Sequence, residues 1–125
     1  KEKLGLTTNS IIVDLHGEAT SEKNAFAQYF DGSVSAVLGT HTHIPTSDDR
    51  ILSNGTAYQT DVGMTGDYNS VIGMDISNPI HSFTKGFRAE GRFKPAKENI
   101  TICGVIVKVN DNTGLSEEIH SFKEK

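Results

Sequence analysis

The sequence predicts a mixed α/β (α+β) domain, and three observations carry that reading. Two β-branched runs, Ser10–Leu15 and Val34–Leu38, flank a segment whose apolar residues recur at helical spacing. Between two further short apolar runs lies Asn54-Gly55, a strong hairpin-turn dipeptide. Near the carboxyl end, Asn99–Val109 and Leu115–Phe122 flank the turn-rich Asn110-Asp111-Asn112-Thr113-Gly114 and read as a second hairpin. At 125 residues the chain fits one domain with a modest core.

Taken in order, Ser10-Ile11-Ile12-Val13-Asp14-Leu15 reads as a strand buried on both faces, running into His16-Gly17-Glu18. Ala19 to Phe30 predicts a helix with Phe26, Tyr29 and Phe30 as its apolar stripe and Asp31-Gly32 as its end. Neither Thr20 nor Ser21 opens a capping box, so the helix start is left open. Val34–Leu38 supplies the next strand. Strand, helix and strand together form a βαβ unit, with parallel strands and a right-handed crossover. Gly39 ends the second strand, and Thr40-His41-Thr42-His43-Ile44-Pro45 follows. Pro45 forbids helix and biases Ile44 towards extended backbone. In an extended loop side chains two apart point the same way, so His41 and His43 are expected to face one point.

Ile51-Leu52 and Thr56-Ala57-Tyr58-Gln59-Thr60 are the strands of the first hairpin. Asp61 to Asp67 carries two glycines and is either a pocket-lining loop or a simple turn; it holds no phosphate-loop signature. Asn78 to Thr84 predicts a short helix with Asn78 as N-cap and Pro79 in the first position. Lys85, Arg88, Arg92 and Lys94, interleaved with Phe87 and Phe93, read as a solvated connector in preference to a basic edge facing an anion. His81 and His120 read as surface or structural histidines. Cys103, the one cysteine, sits in an apolar strand as a buried thiol with no disulfide partner and no polar trigger for nucleophilic chemistry.

Twelve basic against sixteen acidic residues give a formal charge of −4, which argues against non-specific nucleic-acid or anionic-membrane binding. There is no secretory signal and no apolar run long enough for a membrane span, so a cytoplasmic setting without membrane attachment is expected. The absence of an initiator methionine and the charged start, Lys1-Glu2-Lys3, suggest a fragment or processed chain.

Function enters through the histidines. Parallel strands end on one edge of a sheet, and ligands collect outside their carboxyl ends. His16 follows the first strand, and His41 and His43 follow the second, so a shared metal site is the candidate reading. The plainer alternative is three polar loop residues.

Longer blocks sharpen this. His16-Gly17-Glu18-Ala19-Thr20-Ser21-Glu22-Lys23, Gly39-Thr40-His41-Thr42-His43 and Asp61-Val62-Gly63-Met64-Thr65-Gly66 resemble, in order and spacing, the YmdB-type bacterial calcineurin-like metallophosphoesterases. Ser70-Val71-Ile72-Gly73-Met74-Asp75 and the terminal strand pair match as well, so the resemblance runs from about Ile11 to Phe122. Gly17, where alanine is usual, and Asp67-Tyr68 depart from the pattern without removing a ligand. The resemblance implies part of a four-layer fold, a β-sandwich flanked by helices. It also implies a dinuclear centre of two divalent metal ions (Fe, Mn, Zn or Ni) and phosphodiesterase activity on 2′,3′-cyclic nucleotides. On that pattern His16 and His41 would bind one ion and His43 the other. Asp14, Glu18 and Asp61 are candidates to orient the imidazoles, with Thr40, Gly63 and Thr65 as further pocket residues.

The family's remaining ligands, an aspartate, a bridging glutamate and an asparagine, belong to an amino-terminal half outside this sequence, as does a Gly-Asn-His segment. Two hard cations about 3.5–4 Å apart need bridging oxygens, and neutral imidazoles supply none. The expectation is therefore a single domain, residues 1–125, forming the carboxyl-terminal half of such an enzyme and incomplete alone. Apolar strand faces left bare should seat that half or drive self-association into a homo-oligomer. The alternative is a metal- or small-molecule-binding module with no catalysis of its own.

Overall fold

The computed structural model describes residues 8–87 and 91–125. Lys1-Glu2-Lys3 and Arg88 lie outside the described residues. Strand β1 (Ile12–His16), helix α1 (Thr20–Tyr29) and strand β2 (Ala36–Thr40) form the expected βαβ unit. The two strands are parallel, in register from Ile12 opposite Ala36 to His16 opposite Thr40. Strands β3 (Arg50–Ile51) and β4 (Ala57–Gln59) are the antiparallel hairpin around Asn54-Gly55. β4 also joins β2 in parallel, giving the order β1-β2-β4-β3.

A second, antiparallel sheet has the order β5-β6-β7, from Thr65–Asp67, Ile100–Val109 and Ser116–Glu124. Helix α2 (Ser77–Lys85) lies between β5 and β6 in the chain. The closing hairpin thus packs face to face on the first sheet, with β7 against β3 and β4, and does not extend it. The alternation of β6 explains why. Thr101 and Cys103 are buried, and Val105 and Val107 pack into the intersheet core, while Ile100, Ile102 and Ile106 point outward.

The first sheet is covered on both faces at its centre. Val37 and Tyr58 meet Ala27, Val34 and Leu52 under α1, with Val13, Leu15, Phe26 and Phe30 packed alongside. On the other face Ala36 and Ala57 meet Ile119, with Leu38, Ile51, Val105 and Val107 around them. The order of layers is therefore helix, sheet, sheet.

Three readings of the sequence are corrected by the packing. β1 is buried on one face only: Val13 and Leu15 lie under α1, but Ile12 is 61% exposed beside the exposed Asp14 and His16. It is the edge strand, and the second sheet sits over β3 and β4 at the far side. On α1 the inward stripe is Lys23-Phe26-Ala27-Phe30, at i, i+3, i+4 and i+7, while Tyr29 is 82% exposed. α2 begins at Ser77, so Pro79 is its third residue and Asn78 is not the cap. The Asp75 carboxylate instead accepts from the Ser77 N–H, and left-handed Gly86 closes the helix. Cys103 is buried as expected, and His120 is exposed on β7. No helix among the described residues is long and apolar enough to cross a membrane.

Candidate metal centre

The carboxyl ends of β1 and β2 bring His16 and His41 together. The parallel register sets His16 beside Thr40, and the rings of His16 and His41 meet edge to face with centroids 4.8 Å apart. Hydrogen bonds then fix their tautomers. The Thr40 hydroxyl donates its single proton to Asp14 Oδ1 at 2.7 Å, so it must accept from His16 Nδ1–H at 2.9 Å. On the other ring, Glu18 Oε2 lies 3.1 Å from His41 Nε2 and can only accept, so that nitrogen carries the proton. Two lone pairs remain, on His16 Nε2 and His41 Nδ1, and they face each other at 3.1 Å.

Between neutral rings that contact is repulsive, and a proton or a cation placed between the two nitrogens relieves it. Two imidazole nitrogens bound to one ion at about 2.0–2.1 Å and roughly 100° apart would have this separation. The donor pair is thus of a kind that one metal ion could share, and Glu18 and the Thr40–Asp14 pair fix the orientation of the two imidazoles.

His43 does not join this contact. The loop after β2 is not extended: His41 (φ 118°) and His43 (φ 69°) both have positive φ. The extended backbone behind the expectation of two imidazoles facing one point is therefore absent, and the rings take different partners: His41 meets His16 and Glu18, and His43 meets Ile72. His43 Nδ1–H donates to the Ile72 carbonyl at 2.8 Å and leaves Nε2 as its free acceptor. Ile72 itself has φ 46°. Among the described residues no group of three or more His, Cys, Asp or Glu side chains is arranged to hold a metal.

Non-glycine residues with positive φ persist only where surrounding contacts hold them, and here those contacts are explicit. Asp61, wholly buried, accepts from the Thr42 N–H at 2.9 Å and the Gly63 N–H at 2.9 Å. Lys23, 1% exposed, donates to Thr40 O at 2.8 Å, Thr60 O at 3.1 Å and Asp61 Oδ2 at 3.3 Å. Burial pushes the Asp61 carboxyl up, but the Thr42 and Gly63 amides, the Thr42 hydroxyl and Lys23 outweigh it and hold it below the usual carboxylate range. Tyr68 braces the far side, donating to His43 O at 3.2 Å and accepting from Met64 N–H at 3.0 Å. Gly39 is demanded by the same packing, since a Cβ there would lie 1.7 Å from Thr60 O.

Of the residues singled out from sequence, Asp14, Glu18, Thr40 and Asp61 each take part in this network. Gly63 donates to Asp61 and is packed so closely that a Cβ would meet Tyr68 Oη at 2.8 Å. Thr65 lies instead in β5, paired with Ile102 in the second sheet. Lys23 and Tyr68 went unread. The signal for Lys23 is its place at the head of the stripe completed by Phe26, Ala27 and Phe30, where an apolar residue is expected. Tyr68 stood out only as part of the Asp67-Tyr68 departure from the family pattern, which says nothing of its bonds to the loop.

A family profile described as YmdB-like protein matches residues 1–122. A 2′,3′-cyclic-nucleotide 2′-phosphodiesterase of Bacillus subtilis (strain 168) is 49% identical over 112 residues, covering 90% of this chain and 42% of its own length. A crystal structure described as a novel phosphatase from Mycoplasma pneumoniae superposes with a TM-score of 0.87 at 40% identity, over 96% of this chain and 42% of that one. A hypothetical protein from Thermus thermophilus gives a TM-score of 0.84 at 38% identity, over 99% of this chain and 49% of that one. The chain thus spans less than half the length of these relatives.

Proposed function

The chain belongs to the YmdB-like family, and from that premise we propose that it is the histidine-bearing, carboxyl-terminal half of a metal-dependent phosphodiesterase acting on 2′,3′-cyclic nucleotides. The observation that carries the reading is the pair of lone pairs on His16 Nε2 and His41 Nδ1, held 3.1 Å apart by fixed tautomers. His16 and His41 would hold one divalent ion, and His43, through Nε2, the second. When bound, such ions supply Lewis acidity towards the phosphoryl group. The chain's own residues do the positioning. Asp14 with Thr40 and Glu18 each lock an imidazole, while Lys23, Asp61 and Tyr68 hold the loop that carries two of them.

Hydrolysis itself adds water across the phosphodiester: one P–O ester bond breaks, the water oxygen joins phosphorus, and the freed ribose oxygen takes a proton. The described residues offer no bridging carboxylate and no third group at the His16–His41 pair, which supports a site completed by another part of the protein. Iron, manganese, zinc and nickel all accept imidazole, so the donor set leaves the metal open.

The test pairs the isolated chain with the longer protein that carries it. Each is assayed with 2′,3′-cyclic AMP and added Mn²⁺ or Ni²⁺. Turnover is expected from the longer protein only, and His41→Ala should abolish it. Robust turnover by the 125-residue chain, lost on His41→Ala, would show that the missing-ligand account is wrong. No turnover by either would remove the phosphodiesterase reading and leave a binding module.

A further inference from the structure

An apolar groove shares a wall with the turn to which His43 is hydrogen-bonded. The Ile72 carbonyl that accepts from His43 Nδ1–H belongs to a tight turn closed by reciprocal bonds of 2.9 Å between Val71 and Met74. Left-handed Ile72 and Gly73 make that turn possible. Val71, Ile72 and Met74 form one wall of a groove of about 500 Å³, and Pro79, Phe83 and Phe93 form the other. Among the described residues no charged side chain lines it.

Two features make this groove unlike ordinary surface. Its volume lies within the range of about 300–1,000 Å³ typical of small-molecule sites. Its aromatic rings are also turned to solvent: Phe83 is 88% exposed and Phe93 41%, beside Ile72 at 50%. Exposed rings at the mouth of an apolar cleft favour a flat, weakly hydrated occupant.

A nucleotide presents such a group at a fixed remove from its phosphate, since the ribose alone separates the two. We infer that the groove is the base subsite of the phosphoester site, with the heterocycle stacked on Phe83 and Phe93 while the phosphate lies at the histidines. The inference rests on the phosphodiesterase reading and names the part of the substrate that reading leaves unassigned. The lining also sets the kind of specificity. Among the described residues Ser82 is the one polar side chain in it, so the groove selects by shape and stacking area, with little hydrogen-bond readout. Purines should be preferred to pyrimidines by area, without strict discrimination between adenine and guanine.

The test uses the longer protein carrying this chain, loaded with Mn²⁺, and two substrates: 2′,3′-cyclic AMP and the base-free 2′,3′-cyclic phosphate of methyl riboside. Phe83→Ala and Phe93→Ala should each lower the ratio of kcat/KM for the nucleotide over the base-free substrate by about tenfold, through KM. A second arm measures binding of adenosine 3′-monophosphate by calorimetry without turnover, and the same variants should weaken it by a similar factor. Equal losses on both substrates, or none, overturn the subsite. So does a variant that shifts sedimentation to a smaller particle with the ratio intact, which would assign the groove to a second copy of the chain. Failure of the underlying reading looks different: the unmutated protein then hydrolyses neither substrate, and the calorimetric arm alone decides the subsite. Phe83 is too exposed for its truncation to remove core packing, so thermal melting should match the unmutated protein.

Discussion

Replacing Lys23 with methionine isolates the contact that holds the histidine loop. Methionine keeps most of the stem volume and removes the ammonium group. Three acceptors then lose their donor at once: Thr40 O, Thr60 O and Asp61 Oδ2. Asp61 keeps the Thr42 and Gly63 amides but loses its counter-charge while wholly buried. Breaking one side of a buried ion pair costs about 3–5 kcal/mol. Against a typical domain stability of roughly 5–15 kcal/mol, that is about a fifth or more of the total. With a urea m-value of about 1–3 kcal/mol/M, the midpoint should fall by at least about 1 M. Chemical denaturation of the 125-residue chain at fixed concentration measures this. The double variant Lys23→Met/Asp61→Asn removes both charges, and should be less destabilised than the sum of the two singles by about 0.5–3 kcal/mol. A single variant within about 1 kcal/mol of the parent, or strict additivity, would refute the argument that the ion pair holds the loop.

Three further outcomes follow from the same contacts. Glu18→Gln should weaken metal binding about tenfold or more, read by Mn²⁺ titration, because it leaves His41 Nε2–H an acceptor without charge. Stability should not change, since the Glu18 side chain is 80% exposed; unaltered affinity would remove Glu18 from the site. Asp61 and Asp48 are each pushed up by burial and held lower still by hydrogen bonds, from the Thr42 and Gly63 amides in one case and from Thr46 and Thr60 in the other. Their folded values lie below their unfolded ones, so their contribution is complete above about pH 4 and is lost as pH falls through the folded values. The urea midpoint should therefore drop below about pH 4, less steeply in Asp61→Asn, and a midpoint constant from pH 5 to 3 contradicts this. Finally, Ile12 on β1 and Ile102 and Ile106 on the second sheet remain at least half exposed, so the isolated chain should self-associate in sedimentation. A monodisperse monomer that binds no hydrophobic dye would count against it.

Most of the fold was legible because its signals are local. Ile12–His16, α1 and Ala36–Thr40 announce themselves by β-branched runs around a helical stripe, and Asn54-Gly55 fixes the first hairpin wherever it packs. The closing hairpin was equally plain as a hairpin, but its partner sheet was not. Nothing in Ile100–Val109 says whether its inward residues face a helix or another sheet; β5, three residues long and carrying a glycine, gives no strand pattern to pair it with. For β1 the failure runs the other way. A continuous apolar run implies two covered faces, and here one of them is open because the second sheet lies over β3 and β4.

The site divides along the same line. His16 and His41 were readable because two parallel strands must end on one edge, and that constraint needs no knowledge of side-chain rotamers. The backbone around His43 was misread, because β-branched neighbours with a following proline suggested extended chain where His41 and His43 have positive φ. What holds that backbone is nonlocal: Lys23 from α1, Asp61 from beyond β4 and Tyr68 from beyond β5 all converge on the loop. Each is separated from the loop in sequence, and each is ordinary in its own segment. Positive φ at His41, His43 and Ile72 costs of order 1–3 kcal/mol apiece. The buried Lys23–Asp61 pair bonds the loop's backbone directly, at Thr40 O and the Thr42 N–H, and is the kind of surrounding contact that holds such a conformation. The strained loop and the lysine within the apolar stripe are thus one feature, and removing Lys23 should relax His41 before it unfolds the domain.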